Sequence, residues 1–433
     1  MGPLEIALIL LISFFVLVLL RVPVSFALGL ATVPIYLLHE RLSVTLLFTE
    51  MFKAYNSFLL LAVPFFLLAA NLMNAAGITD RLIRFAKALV GHFPGGIGHV
   101  NVTVSMLFAG ISGSSTADSA GIGAIMIPAM KKEGYDTPVS VAITACSSVM
   151  GVIIPPSVLM IIWGGVMSVS IGGLFLAGVI PGIAIGVSMM VAVYIYAKRR
   201  NYPRYPLATR QEFTSSLGHA FLALLTPLII VGGISAGFFT PTEASLVAVL
   251  YSLLLGMVVY KKLDWTGLTK VFYESARFSA IALFAVGTAS AFAFLLAFFK
   301  VPEVLVGQLA GLSMGFVGTG LMIALSFLVI GMFIDAIPAI IILGTVLWPV
   351  AEAANYHPIH FAIIGVVSLA FGLVTPPYGL CLLITCALGG VKVVDTLKEV
   401  FTILVPMLIV LLLIILLPDL VLWLPRWLMD SIS

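Results

Sequence analysis

Charge is scarce in this 433-residue chain: Asp, Glu, Lys and Arg together make up 9% of it, against 62% hydrophobic residues. A water-soluble globule needs a polar surface, with about a quarter of its residues charged, so this composition excludes a soluble domain and marks a polytopic membrane protein. The formal net charge is only +3, too small a surplus for the phosphate neutralisation on which nucleic-acid binding rests. Cysteine is equally sparse. Cys146, Cys381 and Cys386 all fall in apolar runs without metal-ligand spacing and read as small packing hydrophobes. No GxxxxGK[ST] motif is present, which argues against direct use of ATP, and no HExxH, the signature of a zinc hydrolase. The first apolar run, Pro3 to Leu20, has neither a basic leader nor an A-x-A-like cleavage site. It reads as a membrane helix rather than a removable signal.

What the chain does have is punctuation. Gly110, Pro128, Tyr135, Gly151 and Pro155-Pro156 interrupt one apolar stretch, and Gly331, Pro349, Tyr356, Gly372 and Pro376-Pro377 interrupt another. Each landmark of the second lies 221 positions after its counterpart in the first, and a duplication accounts for that register. Gly, Ser and paired Pro free backbone groups that hydrocarbon cannot satisfy, so such backbone survives in a bilayer only where it is buried in protein or lines a watery cavity. At corresponding positions of two halves it points to a transporter's binding site.

Read with the length of about 20 apolar residues that crosses a bilayer, the first copy (1–200) gives spans over 4–20, 23–38 and 57–75 and an amphipathic surface helix over 78–90. A span over 139–168, broken at Pro155-Pro156, and one over 173–197, ending in Lys198-Arg199-Arg200, complete it. Between them, 97–110 and 116–130 are apolar but cover only roughly 21–23 Å at 1.5 Å per residue, short of the ~30 Å hydrocarbon core. They read as the arms of a re-entrant hairpin (about 97–131) with a polar tip from Ile111 to Asp118. A polar connector, 201–216, leads into the second copy, 217–433, with spans over 217–237, 243–260 and 277–298 and a surface segment around Glu303. There follow a hairpin (about 317–352) with Asp335 at its tip, a span over 358–390 broken at Pro376-Pro377, and a closing span over 400–417. The predicted fold is an all-α polytopic membrane protein, two repeats of five transmembrane helices plus one re-entrant hairpin each.

Five crossings per copy is an odd number, so the repeats are expected to be inverted. Alternate placement of the loops puts most basic residues on one face and leaves only Arg41, Lys53, Lys300 and Arg426, of 21, on the other. The positive-inside rule then places both termini outside the cytoplasm.

Exposed carbonyls at a hairpin tip and at a helix break are hard oxygen ligands, and Ser and Thr hydroxyls add neutral oxygens. Such a set suits a small hard cation. Its candidates in the first copy are Ser112 and Ser114, with Ser115 beside them, facing Gly151, Ile154, Pro155 and Pro156; in the second they are Gly331 to Asp335 facing Gly372, Thr375, Pro376, Pro377 and Tyr378. The alternative is that these small residues only let helices approach closely. Asp118 and Asp335 are acids at membrane depth, functional candidates by default. Two roles stand open for Asp118: capping the second hairpin arm, where an acid complements free N–H groups, or contacting an ion or substrate. Glu243, after Thr240-Pro241, reads as a first-turn helix acid. Half-helix N-termini at the breaks offer positive dipole ends to an anion, which makes a carboxylate-bearing solute plausible. Two rivals remain, an intramembrane enzyme using Asp118 and Asp335 as an acid pair, and an ion channel.

Four segments carry a family resemblance: Arg21-Val22-Pro23-Val24, Gly110 to Asp118, Gly151 to Pro156, and Gly372 to Gly379. Through them essentially the whole chain resembles the large membrane subunit of the TRAP transporters, the tripartite ATP-independent periplasmic carriers of the ion transporter superfamily. The resemblance implies a sodium-driven, elevator-type secondary transporter of the bacterial inner membrane, with a scaffold and a moving domain. It also implies a small four-helix membrane subunit, expected here as a separate chain, and a periplasmic substrate-binding protein that delivers an organic acid such as a C4-dicarboxylate, sialic acid or a sugar acid. Carried over, it suggests one Na⁺ site at Ser112, Ser114, Gly151, Ile154 and Pro156, a second involving Gly372, Thr375 and Tyr378, and Asp335 near the sites.

Overall fold

Proline, glycine and capping residues divide the apolar chain into helices, and a computed structural model describes residues 2–39, 42–310 and 314–429. Arg41, counted above on the sparsely charged face, lies outside the described residues, as do the last four positions of the second copy. Among the described residues the structure is all-α, without strands.

In the first half, α1 (Pro3–Leu19) and α2 (Val24–Leu38) part at Arg21-Val22-Pro23, where Arg21 is left-handed (φ 64°) and Pro23 has no N–H with which to continue the preceding helix. The polar stretch before the third span is itself helical, α3 (Val44–Tyr55). A 3₁₀ turn, Phe58–Leu61, runs into α4 (Ala62–Ala75), and α5 (Ile78–Val90) is the expected amphipathic helix, burying Ile78, Leu82 and Phe85. The first hairpin is α6 (Gly96–Ser112) and α7 (Ser115–Lys132). α8 (Thr137–Ser148), a 3₁₀ turn (Val149–Val152) and α9 (Val158–Met167) form the broken helix, and α10 (Ile171–Arg200) ends the half.

The second half runs α11 (Arg210–Ser235), α12 (Pro241–Leu253) continued by a π turn (Leu254–Val259), α13 (Trp265–Phe298) and α14 (Val301–Ala310). Its hairpin is α15 (Gly315–Gly331) and α16 (Ala336–Ala353), its broken helix α17 (Pro358–Gly372) and α18 (Leu380–Gly389), followed by α19 (Val393–Leu416) and α20 (Asp419–Leu428). Among the described residues seven helices are long and apolar enough to cross a membrane, α16 among them.

Several helices outrun their apolar windows. α11, α13 and α19 begin at Arg210, Trp265 and Val393, ahead of the expected 217, 277 and 400, so the irregular connector is 201–209. Caps hold the first turns of α11 and α13: Thr209 and Glu212 form a reciprocal capping box, and Asp264 accepts from the Gly267 N–H at 2.7 Å, whereas α19 starts at Lys392-Val393 without a side-chain cap. Hydropathy is blind to such turns. The short terminal helix α20 was not anticipated either.

Packing interleaves the two halves. α7 of the first hairpin lies on α18 of the second half, and α16 of the second hairpin lies on α9 of the first. Both hairpins are clipped at their open end by the same bond: the Tyr135 hydroxyl donates to the Gly95 carbonyl and the Tyr356 hydroxyl to that of Phe316, each at 2.9 Å. A second group, α2, α3, α4, α12 and α13, packs mainly within itself and meets the hairpins through α13 against α16 and α4 against α6.

Candidate binding cavity at the hairpin tips

The first tip is a two-residue turn. Gly113 is left-handed (φ 63°), a conformation glycine adopts without a side-chain penalty, and Ser114 caps α7, its Oγ accepting from the Ala117 N–H at 3.4 Å. Of the two roles left open for Asp118, the α7 cap is filled by Ser114. The tip docks on the broken helix: the Val158 N–H donates to the Gly113 carbonyl (3.2 Å), and the Ser115 hydroxyl donates to that of Val149 (3.2 Å). Contact at Gly151 is so close that a Cβ there would lie 2.5 Å from Asp118 Oδ2 and 2.9 Å from the Ser114 carbonyl carbon. Asp118 is fully buried with the Ser112 hydroxyl beside it, and among the described residues neither carboxylate oxygen has a hydrogen-bond partner within 3.5 Å. A buried acid without a partner is costly.

Of the other residues singled out in this half, Ser112 ends α6 and its Oγ accepts from the Ser114 N–H (3.4 Å). Pro155 and Pro156 are buried in the break, and the Pro156 carbonyl oxygen lies 2.8 Å from where a Gly113 Cβ would be. Ile154 is half-buried and turns its side chain to Gly182 of α10.

In the second half, Gly372 abuts the backbone of Gly331, whose Cα lies 2.7 Å from the position of a Gly372 Cβ. The Tyr378 N–H donates to the Met332 carbonyl (2.9 Å), and the buried Thr375 hydroxyl bonds back to that of Phe371 (2.7 Å). Asp335 caps α16, its Oδ1 accepting from the Ala336 N–H at 2.9 Å. Pro376 is half-buried, while Pro377 and Tyr378 are exposed.

A cavity of about 170 Å³ joins the two tips. Gly113 to Thr116 of the first hairpin and Asp335 to Ile337 of the second line it, with Val152 and Leu373 from the two breaks. The N-terminal residues of α7, α9 and α16 all reach it, so three positive helix ends converge there. No basic side chain lines it. Its remaining wall is Ser25 of α2, Leu67 of α4 and Phe278, Ile281, Ala282 and Ala285 of α13, none of which sequence reasoning singled out. Plain apolar helix carries no mark of what it faces.

Sequence reasoning also passed over the polar ladder behind the first tip. Asn101 donates to Thr144 (2.7 Å), Ser105 to Ser147 (2.9 Å) and Ser119 to Ser148 (2.6 Å). Its signal was available: Asn101 and Ser105 stand four apart on α6, and Ser140, Thr144 and Ser147 repeat at helical spacing on α8. The oxygens at the first tip are backbone carbonyls and hydroxyls beside the Asp118 carboxylate, those at the second are backbone carbonyls and the Asp335 carboxylate, and among the described residues no three His, Cys, Asp or Glu side chains gather as metal ligands. That donor set fits an alkali cation better than a transition metal.

The family model described as "Tripartite ATP-independent periplasmic transporter, DctM component" matches residues 11–420. The chain is 39% identical to the sialic acid TRAP transporter large permease protein SiaM of Vibrio cholerae, over 93% of this chain and 95% of that one. It is 35% identical to the C4-dicarboxylate TRAP transporter large permease protein DctM of Pseudomonas aeruginosa, over 93% and 94%. Among solved structures it is similar in fold to the YdaH transporter of Alcanivorax borkumensis, with a TM-score of 0.58 at 15% identity, covering 96% of this chain and 97% of that one. Joined to the polytopic helical architecture, these matches make the chain a member of the DctM family of tripartite ATP-independent periplasmic transporters, a membrane transport protein and not an enzyme.

Proposed function

We propose that the protein takes up an organic acid by sodium-coupled secondary transport across the bacterial inner membrane, with both termini periplasmic. The substrate is delivered by a periplasmic binding protein, and a small four-helix membrane subunit completes the carrier. The observation that carries sodium coupling is Asp118: a buried carboxylate that makes no hydrogen bond within 3.5 Å, set against Gly151 of the break and the Ser114 backbone of the tip, with the Ser112 hydroxyl beside it. A cation held at Ser112, Ser114, Gly151, Ile154 and Pro156 compensates that charge. The second site, at Gly372, Thr375 and Tyr378, differs in kind, because its tip carries Phe333-Ile334-Asp335 in place of hydroxyls.

The three helix N-termini at the cavity support an anionic substrate group, and the sialic acid and C4-dicarboxylate relatives support an organic acid as its class. Each sodium ion moving inward gains about 2.3 kcal/mol per 100 mV, enough for two or more to drive an acid uphill. The hairpins and broken helices form the moving body of an elevator, and α2, α3, α4, α12 and α13 its scaffold.

The test is uptake into proteoliposomes holding the membrane subunits and the binding protein with its own ligand. Accumulation above the external concentration, dependent on an inward sodium gradient and lost in a Ser112→Ala, Thr375→Ala double variant, is expected. Flux that runs only downhill identifies a channel. Uptake indifferent to both hydroxyls places the ion sites elsewhere.

A further inference from the structure

Away from the hairpin tips, α10 and α19 lie side by side and leave a groove of about 360 Å³ at their charged ends. The trough is apolar: Val191 and Ile195 of α10 and Val405 and Ile409 of α19 are each about half exposed along it. Ala192 and Pro406 form its floor, too small to fill it. Over the charged end sit Arg199, Arg200 and Lys398. Arg200 is committed. It bonds Glu399 at 2.8 Å and also Asp136, and Tyr196 donates to the same Glu399. Arg199 and Lys398 are exposed and form no ion pair among the described residues, and the one carboxylate in the groove, Glu399, is bonded to Arg200 and Tyr196, so two positive charges overhang the trough without an ion-pair partner.

We propose that this groove is a binding site for an anionic glycerophospholipid, with the phosphate between Arg199 and Lys398 and an acyl chain along α10 and α19. Both helices are of membrane-crossing length and composition. From Lys398 to Ile409 the groove wall rises roughly 16 Å at 1.5 Å per residue, a length that suits an acyl chain. A soluble phosphate would use the cations and leave the trough empty, whereas a zwitterionic lipid brings the same phosphate together with an ammonium that Arg199 and Lys398 repel. Basic pockets between helices at a membrane face take anionic headgroups for this reason.

Native mass spectrometry of the full chain in detergent, titrated with phosphatidylglycerol and separately with phosphatidylethanolamine, tests the site. One phosphatidylglycerol should be retained in preference to phosphatidylethanolamine, and an Arg199→Gln, Lys398→Gln double variant should weaken it roughly 30-fold, each single change roughly fivefold. Val405→Trp, which fills the trough and keeps both charges, should displace it as well. Lys131→Gln with Lys132→Gln, elsewhere on the basic face, should not. Equal retention of the two lipids, or unchanged binding in the double variant, overturns the proposal. So does persistence in Val405→Trp, or displacement by equimolar inorganic phosphate, since either reduces the site to surface charge. Loss of the small subunit from the double variant with lipid binding intact assigns the groove to a protein partner instead.

Discussion

Single residues set the chemistry of the first tip, and the closest contact there is between something missing and something unpaired. Gly151 has no Cβ, and the space it leaves is taken by Asp118 and the Ser114 backbone. Gly151→Ala therefore meets fixed backbone on one side, and overpacking of this kind costs roughly 1–3 kcal/mol. A lower thermal midpoint together with lost uptake is the expected result; uptake at the parental level would show that the tip yields. Asp118→Asn acts in the opposite direction. Removing an unsatisfied buried acid relieves a penalty of roughly 1–3 kcal/mol, so the sodium-free protein should melt higher while sodium no longer raises the midpoint. A variant that keeps the full sodium-dependent shift would separate Asp118 from the ion. The resemblance between the copies stops here, since the position 221 residues after Asp118 is Ala339.

Among elements, the connector after α10 does more than join two copies. Its Tyr202 ring stacks on Tyr135 with centroids 3.8 Å apart, Tyr205 accepts the Lys87 ammonium on its ring, and its backbone exchanges hydrogen bonds with Gly91 and Gly96 at the turn before the first hairpin. Tyr202 and Arg200 both bond Asp136, and these contacts, the Tyr202 hydroxyl first, hold the Asp136 carboxyl below the ordinary carboxylate range. A depressed folded-state pKa gives stability that is present above the unfolded value of ~3.9 and is lost as pH falls through the folded one. Asp136→Asn should therefore lower the thermal midpoint equally at about pH 6 and 8 and less below about pH 4. Because the pair is exposed, the loss should stay within about 1 kcal/mol. A loss that grows between about pH 6 and 8 would point to another titrating group.

At the scale of the whole molecule the question is orientation. If the two copies are inverted as proposed, the outer end of the first hairpin, at Lys131, and that of the second, at Asn355, lie on opposite sides of the membrane. Both positions are exposed, and the native Cys146, Cys381 and Cys386 are buried. Single cysteines at 131 and 355 should thus react with an impermeant maleimide from opposite faces of oriented vesicles; reaction from one face would mean parallel copies and would sink the elevator arrangement. The same scale shows what was legible beforehand. The first hairpin could be read from its short apolar arms, the second from the 221-residue register, and both breaks and the amphipathic α5 from paired proline and charge spacing, whereas the length of α16 is that of a membrane-crossing helix and gave no such sign. The early starts of α11 and α13 could not be read from apolar runs, because polar first turns are stabilised by caps, and that of α19 could not because its first turns carry Asp395, Lys398 and Glu399. Their bounds also lay in signals left unused, such as the Thr209-to-Glu212 capping box.

The residues themselves determined that this chain is a polytopic membrane protein, and that its Gly and Pro-Pro landmarks recur at one fixed register. Composition and the 221-residue register are one-dimensional facts that no folding can alter. The tertiary structure decided which surfaces meet. It set α7 on α18 and α16 on α9, brought Ser25 and one face of α13 to the cavity, gave the α7 cap to Ser114, and left Asp118 without a hydrogen bond within 3.5 Å. These outcomes depend on partners more than a hundred residues away or on the geometry of a single turn, and neither is written in the periodicity of one helix.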